Sequence, residues 1–179
     1  MYKQKFTQLQ QEMLGFFFSK PKREFTERSL AKQLNVSPTA VSNSLPLMKS
    51  AGLLKVSKDR ESGRLSISLN RENPRTFFLK RAENLRAFYE SGLSEYLSEK
   101  FPGSTIILFG SYSFGEDTED SDIDIAIIGS KRKDVDTKKF ESTLERRISI
   151  NFYDAISGIE KNLRENILNG IVMDGGVTL

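Results

Sequence analysis

Two aspartates, Asp122 and Asp124, are the residues whose type and spacing most directly suggest chemistry. They lie in a run rich in isoleucine, which predicts a β-strand over residues 122–128. Because side chains alternate across a strand, both carboxylates point to one face, with Cα atoms about 7 Å apart. Paired carboxylates repel each other and suit a hard cation such as Mg²⁺, which prefers oxygen ligands and often bridges to substrate phosphates.

A second apolar strand, predicted over residues 105–109, ends directly before Gly110 and Ser111. The backbone N–H groups of such a turn and the serine hydroxyl can bind a phosphate. An acidic loop that feeds an ordinary strand is the alternative, but two aspartates in an isoleucine-rich strand destabilise it unless they have a partner. The two segments therefore indicate a phosphate site assisted by a metal ion.

The segment from Phe109 to Asp124 resembles the signature of the small stand-alone nucleotidyltransferases of the DNA polymerase β superfamily. In that signature an apolar strand is followed by Gly-Ser, a short spacer and Asp-x-Asp in a second strand. The resemblance extends from about residue 101 to the C-terminus. It implies a polymerase β-like fold, an NTP substrate and Mg²⁺ or Mn²⁺ as cofactor.

The same resemblance implies roles for individual residues of this sequence. Asp122 and Asp124 would be the catalytic and metal-binding residues. Gly110, Ser111 and Ser121 would bind the nucleotide. The expected reaction is transfer of a nucleoside monophosphate from an NTP to an acceptor that the sequence does not identify.

Members of that family place a third carboxylate on the following strand, beside the aspartate pair. Here the strand predicted over residues 148–153 has Ser149 and Asn151 on its polar face, so one of them occupies the third position. An asparagine keeps an oxygen ligand but removes a charge and a base. Glu116, Asp117 or an acid from a partner chain are alternative sources of the missing carboxylate.

The N-terminal part of the sequence predicts three helices followed by a β-hairpin, and it resembles a winged helix-turn-helix. Ser37 is a good N-cap and Pro38 fits the first position of the third helix. The resemblance implies that this helix enters the major groove of DNA and that the hairpin contacts the DNA backbone. The residues expected to face DNA are Thr39, Ser42, Asn43, Lys49, Lys55, Lys58, Arg60 and Arg64. A protein-interaction module is the alternative, since the third helix has few basic residues.

Charge divides the chain into two parts with different expected partners. Residues 1–72 contain 13 Lys and Arg against 6 Asp and Glu, a balance of +7, whereas residues 73–179 contain 14 against 18, a balance of −4. The basic part favours nucleic acid. We therefore predict an α/β (α+β) protein with a winged helix domain at 1–72, a linking amphipathic helix at 73–100 and a nucleotidyltransferase domain with a short mixed sheet at 101–179.

The linking helix is predicted over residues 75–99 because apolar residues recur at helical spacing. The apolar stripe expected to face the core consists of Phe78, Ala82, Leu85, Tyr89, Leu93, Tyr96 and Leu97. A homodimer seam along this stripe is the alternative.

The composition excludes several other classes of function. The sequence has no cysteine and no histidine, which excludes disulfides, thiolate or histidine metal sites and catalysis by a Ser-His-Asp triad. It has no apolar run of membrane length, so we expect no membrane partner and a cytoplasmic location. Two functions are left: a magnesium-dependent nucleotidyltransferase with a DNA-binding winged helix, and a non-enzymatic DNA-binding regulator with a degraded nucleotide-binding domain.

Overall fold

The computed structural model of the chain describes residues 6–58 and 64–177. The chain forms two compact units, Met1–Lys80 and Arg81–Leu179. Both contain helices packed with a small sheet, so the fold is of the α+β class that the sequence predicts. None of the helices in the described part is both long and apolar enough to cross a membrane.

The N-terminal unit has the element order of a winged helix: three helices, then a hairpin. Its elements are α1 (Gln8–Ser19), β1 (Glu24–Phe25), α2 (Glu27–Gln33), α3 (Pro38–Ser50), β2 (Leu54–Lys58), β3 (Leu65–Leu69) and the first part of α4 (Pro74–Glu90). The side chains of Thr7, Thr26 and Ser37 accept backbone N–H groups and so cap the three helices. The short strand β1, which the sequence pattern did not predict, pairs with β3 to give the antiparallel order β1-β3-β2.

The core of this unit is apolar. Its fully buried side chains belong to the three helices and the hairpin and include Met13, Phe17, Leu30, Val41, Met48, Leu53 and Ile67. The apolar residues that recur at helical spacing in α3, Val41, Leu45 and Met48, are all buried in this cluster, whereas the opposite face of α3 is exposed.

The prediction of a single helix over residues 75–99 is wrong, because two helices cover that range. The first, α4, ends at Glu90, and the second, α5, spans Leu93–Lys100. Gly92 lies between them with φ +77°, a left-handed conformation that a continuing α-helix cannot contain.

The prediction of which face of α4 is buried is also wrong. The Phe78 and Tyr89 side chains are 69 % and 44 % exposed, whereas Lys80, Asn84 and Phe88 are buried. The buried face of α4 is partly polar because Asn84 forms hydrogen bonds inside the C-terminal unit. An apolar stripe is therefore exposed on α4, and a homodimer seam there remains a prediction.

In its described residues, the C-terminal unit consists of the rest of α4 and eight further helices and strands. They are α5, β4 (Thr105–Phe109), α6 (Gly110–Phe114), β5 (Ile123–Ile128), α7 (Lys138–Leu144), β6 (Ile148–Tyr153), α8 (Lys161–Leu168) and β7 (Ile171–Asp174), with a short 3-10 turn at Ile156–Gly158. Helix α7 ends at Leu144, because the next residue, Glu145, adopts φ +51°.

These strands form the short mixed sheet that the sequence predicts. Its order is β6-β5-β4-β7, with β5 antiparallel to β4 and parallel to β6. Ile123, Ile125 and Ile127 pack into one apolar cluster, and Ala126 and Ile128 pack into another. Asp124 has the same parity as Ala126, so its carboxylate shares the second face of the sheet.

Candidate active site of the C-terminal unit

The two aspartates stand at the start of the central strand β5. Asp124 is the pairing partner of Phe109, the last residue of β4, while Asp122 directly precedes the strand. The strand begins one residue later than predicted, and the N–H of Ile123 donates to the Arg147 carbonyl at 2.8 Å. Asp122 is exposed and Asp124 is half-buried, so a ligand can reach both carboxylates from solvent.

Gly110 makes the closest approach to this pair. It has φ +72°, and a Cβ atom added there would lie 2.5 Å from Oδ2 of Asp124. Only a residue without a side chain lets the turn after β4 pass so close to the carboxylate. Ser111 follows in α6, so the predicted phosphate-binding residues and Asp124 lie at the same end of the β4–β5 pair.

Burial and repulsion both act against the negative charge of Asp124. The pKa of its carboxyl is raised first by burial and second by the charge of Asp122. A bound cation would relieve both effects, so this donor set fits a hard divalent ion. Among the described residues, no group of three or more acidic side chains is arranged to hold a metal ion, so the aspartates would be two ligands of an otherwise open site.

The strand β6 brings Ser149 and Asn151 to the side of this pair. Ser149 is the Cα partner of Asp124, and Asn151 is the partner of Ala126. The Asn151 amide donates to the Ser149 hydroxyl at 3.4 Å, which places the two side chains on one face. Burial, and secondarily the charge of Asp124, raises the pKa of Tyr153, which packs with the cluster on that face.

A buried polar network holds the loop between Ser111 and Asp122. Asp117 and Arg146 are almost completely buried, with 3.6 Å between Oδ2 and Nη2. The Asn84 amide donates to Asp117 Oδ1 at 2.7 Å and to the Tyr112 carbonyl at 2.9 Å. The Tyr112 hydroxyl donates in return to the Asn84 carbonyl at 3.2 Å. The network thus ties the loop to α4 and to the turn before β6.

The position of Asp117 rules out its proposed role as the missing third carboxylate, because its oxygens are occupied by Asn84 and Arg146. Sequence reasoning missed the network. Asp117 lies in a polar, acidic stretch that is typical of a solvated loop, and no pattern marks the one side chain that folds inward.

Ser121 shapes the turn that presents Asp122. Its hydroxyl oxygen accepts the Thr118 N–H at 2.9 Å, and its own N–H donates to the Thr118 carbonyl at 3.1 Å. Ser121 and Asp122 also line an open cleft of about 640 Å³, together with Arg147. The predicted nucleotide-binding serine therefore lies beside the aspartate pair and also has a structural contact.

A second cleft opens at the edge of the sheet along β6. It has a volume of about 730 Å³, and its lining includes Lys131 and Arg132 from the loop after β5 and Asn151, Tyr153 and Asp154 from β6 and its end. Both cations are exposed. The sequence pattern did not identify Tyr153 as a lining residue of this cleft.

The predicted DNA-facing residues of α3 all lie on its exposed face. Thr39, Ser42, Asn43 and Lys49 are exposed, in contrast to the buried apolar face of the same helix.

Around the wing, Lys58 and Arg64 line a cleft of about 690 Å³ with Arg28. Lys55 forms an ion pair with Glu72 at 2.6 Å, which reduces its availability to a phosphate. Arg60 lies outside the described residues.

The segment that carries this site and most of the sheet matches a known family of domains. Residues 90–171 match the family model described as "Nucleotidyltransferase domain". The resemblance to nucleotidyltransferases inferred from the Gly-Ser and Asp-x-Asp spacing is thereby confirmed for this segment, which includes both aspartates and Gly110. A comparison with curated proteins gives no significant match.

Three bacterial proteins are among the solved structures that are similar to this chain. A mutant of ZitR from Lactococcus lactis is 24 % identical, with a TM-score of 0.39 over 55 % of this chain and 64 % of that one. AdcR from Streptococcus pyogenes is 22 % identical, with a TM-score of 0.40 over 55 % and 70 %. MepR from Staphylococcus aureus, titled a transcription regulator, is 23 % identical, with a TM-score of 0.40 over 52 % and 64 %. The chain thus spans slightly less than two thirds of ZitR and of MepR.

Proposed function

We propose that the C-terminal unit transfers a nucleoside monophosphate from an NTP to an acceptor hydroxyl. One observation carries this proposal: the half-buried carboxylate of Asp124 lies against Gly110 and next to Asp122, at the end of two paired strands. The match of residues 90–171 to the nucleotidyltransferase family model supports it.

In this proposal Asp122 and Asp124 would hold Mg²⁺, or Mn²⁺ in its place. The bound ion would supply charge neutralisation on the triphosphate and polarisation of the attacked phosphorus. Gly110 and Ser111 bind the β- and γ-phosphates, and Ser121 contacts the nucleotide from the loop. Asn84, Asp117 and Arg146 position that loop without touching the substrate.

In the reaction the acceptor oxygen forms a bond to the α-phosphorus. The bond from that phosphorus to the bridging oxygen of the β-phosphate breaks, and pyrophosphate leaves with the electron pair. The hydroxyl proton passes to water, since Ser149 and Asn151 offer no carboxylate to accept it. We therefore expect slow turnover.

The test of metal-assisted nucleotide binding is calorimetry with each NTP, with and without Mg²⁺. The double variant Asp122→Asn with Asp124→Asn should lose the part of the affinity that depends on Mg²⁺. Asp134→Asn is the matched control, because it removes one carboxylate from an exposed loop position. Equal Mg²⁺-dependent affinities for the wild type and the double variant would contradict the proposal.

Turnover is tested by pyrophosphate release and by transfer of label from each NTP in the presence of cell extract. Asn151→Asp or Ser149→Asp should raise the rate, because either adds a base and a ligand beside Asp124. Thermal melting with and without Mg²⁺ checks that each variant is folded and binds the ion. Folded, Mg²⁺-stabilised variants without activity would favour the alternative of a non-enzymatic regulator.

We further propose that the N-terminal unit binds duplex DNA. The observation behind this is that Thr39, Ser42, Asn43 and Lys49 occupy the free face of α3 in a part of the chain with a charge of +7. Four phosphate contacts would give a slope of about −4 when the logarithm of the binding constant is plotted against the logarithm of the salt concentration. Gel shifts across a salt series measure it.

Two sets of variants separate backbone contacts from base contacts. Lys58→Ala with Arg64→Ala should weaken binding to all DNA sequences alike and make the salt slope shallower, whereas Asn43→Ala should change sequence preference. Absence of binding to any duplex at low salt would leave this unit a protein-interaction module.

A further inference from the structure

We propose that the cleft along β6 binds the acceptor of the transferase, and that this acceptor is a single-stranded nucleic acid with a free 3′ hydroxyl. The inference rests on the proposed nucleotidyl transfer, because it assigns the side of the site from which the attacking oxygen arrives. It concerns Lys131, Arg132, Asn151 and Tyr153, to which neither the sequence resemblance nor the family match assigns an acceptor.

The order of the strands determines the side from which the acceptor approaches. The triphosphate is assigned to Gly110 and Ser111, which follow β4, and β4 lies on one side of the aspartate-bearing strand β5. In phosphoryl transfer the attacking and leaving oxygens lie roughly in line on opposite sides of phosphorus. Pyrophosphate that leaves towards β4 therefore requires an acceptor that approaches from β6, the other neighbour of β5.

Strand β6 offers an open, continuous polar surface to such an acceptor. It is the edge strand of the sheet, and its residues are only partly buried. From Ser149, which pairs with Asp124, the surface continues along the same face through Asn151 to Tyr153. The four residue-to-residue steps from Ser149 to Tyr153 span roughly 13 Å, which is the length of up to about four stacked nucleotides.

The far end of that surface carries two cations that can bind phosphate groups. The exposed cations Lys131 and Arg132 line the cleft in a part of the chain whose net charge is −4, so they form a local exception that favours an anion. An aromatic ring, an amide and two cations in one open groove are the groups that bind single-stranded nucleic acid by stacking and phosphate contact. The lining also includes one exposed acid, Asp154, which the two cations outnumber.

The neighbouring Lys133 supplies a matched control. Its ammonium lies 5.5 Å from the centre of the Phe101 ring and 3.4 Å from the Lys100 carbonyl, and it does not line the cleft. Removal of this charge from the same loop should therefore leave acceptor binding nearly unchanged, while Lys131→Ala with Arg132→Ala should not.

The binding test uses the full chain and a 5′-labelled, mixed-sequence RNA of about 12 nucleotides, with the equivalent DNA strand as a second arm. Lys131→Ala with Arg132→Ala should make the log–log salt slope shallower by about 1.4. Tyr153→Leu should weaken binding about tenfold, and Tyr153→Phe should keep most of it because the stacking ring remains. A photoreactive base near the 3′ end should crosslink to the β6 cleft; crosslinks confined to α3 or the wing would overturn the proposal.

The activity test separates this inference from the proposed function. With NTP and Mg²⁺ we expect extension of the strand at its 3′ end, with KM for the strand raised about tenfold in the Lys131→Ala, Arg132→Ala variant and kcat and NTP affinity unchanged. Transfer of label to a protein, or strand extension insensitive to these substitutions, would overturn the acceptor assignment while leaving nucleotidyl transfer intact. If no acceptor is labelled and Mg²⁺-dependent NTP binding is absent, the proposed function itself fails.

Discussion

The two units of the chain bury different kinds of side chain. The N-terminal unit is held by an apolar cluster in which Met13, Phe17 and Met48 are fully buried. The C-terminal unit buries the charged pair of Asp117 and Arg146 in addition to its two apolar clusters. Apolar contacts are lost in proportion to the atoms removed, whereas the stability of a buried charge depends on a few specific partners. The units should therefore respond differently to substitution.

The largest effect should come from Arg146→Met. It leaves the carboxylate of Asp117 buried without its cation, and we expect a loss of about 3 to 5 kcal/mol in the stability of the C-terminal unit. Hydrogen exchange of the full chain, followed separately in the two units, measures the change because local opening free energies are resolved by segment.

Two further variants sharpen this result. Arg146→Met with Asp117→Asn should recover much of the loss, because no unpaired charge is then buried. Arg86→Met breaks exposed ion pairs with Glu83 and Glu90 in the same unit and should cost only about 0.2 to 1 kcal/mol. Equal losses in Arg146→Met and Arg86→Met would remove the distinction between the buried and the exposed pairs.

A graded response is expected in the N-terminal unit. Met48→Ala should destabilise it by about 2 to 5 kcal/mol, because Met48 is fully buried and its removal leaves a cavity. Met48→Leu, which conserves volume, should cost less than about 1.5 kcal/mol. The same exchange experiment reports both values, and a loss confined to the C-terminal unit would contradict the assignment of this core.

A smaller effect than that of Met48→Ala should come from Gly92→Ala at the break between α4 and α5. A Cβ atom there meets nothing within 4 Å, so the cost is that of a left-handed backbone alone, about 1 to 2 kcal/mol. Thermal denaturation with circular dichroism measures it. A gain in helix content and stability would mean that the alanine joins the two helices, as the apolar spacing predicts.

The fold was predictable where buried residues are apolar and regular. Helix α3 and the hairpin follow from spacing, caps and alternation, and the mixed sheet follows from the resemblance carried by Gly110, Asp122 and Asp124. The prediction failed in α4, because spacing identifies an apolar stripe but not the polar face that a buried network requires. Phe78 is exposed and Asn84 is buried for that reason.

The candidate site likewise contains some residues that the sequence predicts and others that it does not. The pair of aspartates and the neighbouring turn are local in sequence, so their motif identifies them. Asp117 and Arg146 are distant in sequence and meet only in the folded unit. Tyr153 lines the same cleft as Lys131 and Arg132 only because β6 pairs with β5. Such contacts depend on strand order, which local patterns do not contain.

The edge position of β6 has a consequence for handling the protein. An edge strand presents unpaired backbone groups, and proteins usually protect such edges from self-association by covering or charging them. If the acceptor must reach this edge, the strand has to stay uncovered, and the adjacent Lys131 and Arg132 would provide electrostatic protection against aggregation. Loss of these two charges should therefore lower solubility at high concentration, an effect that light scattering would detect without any substrate.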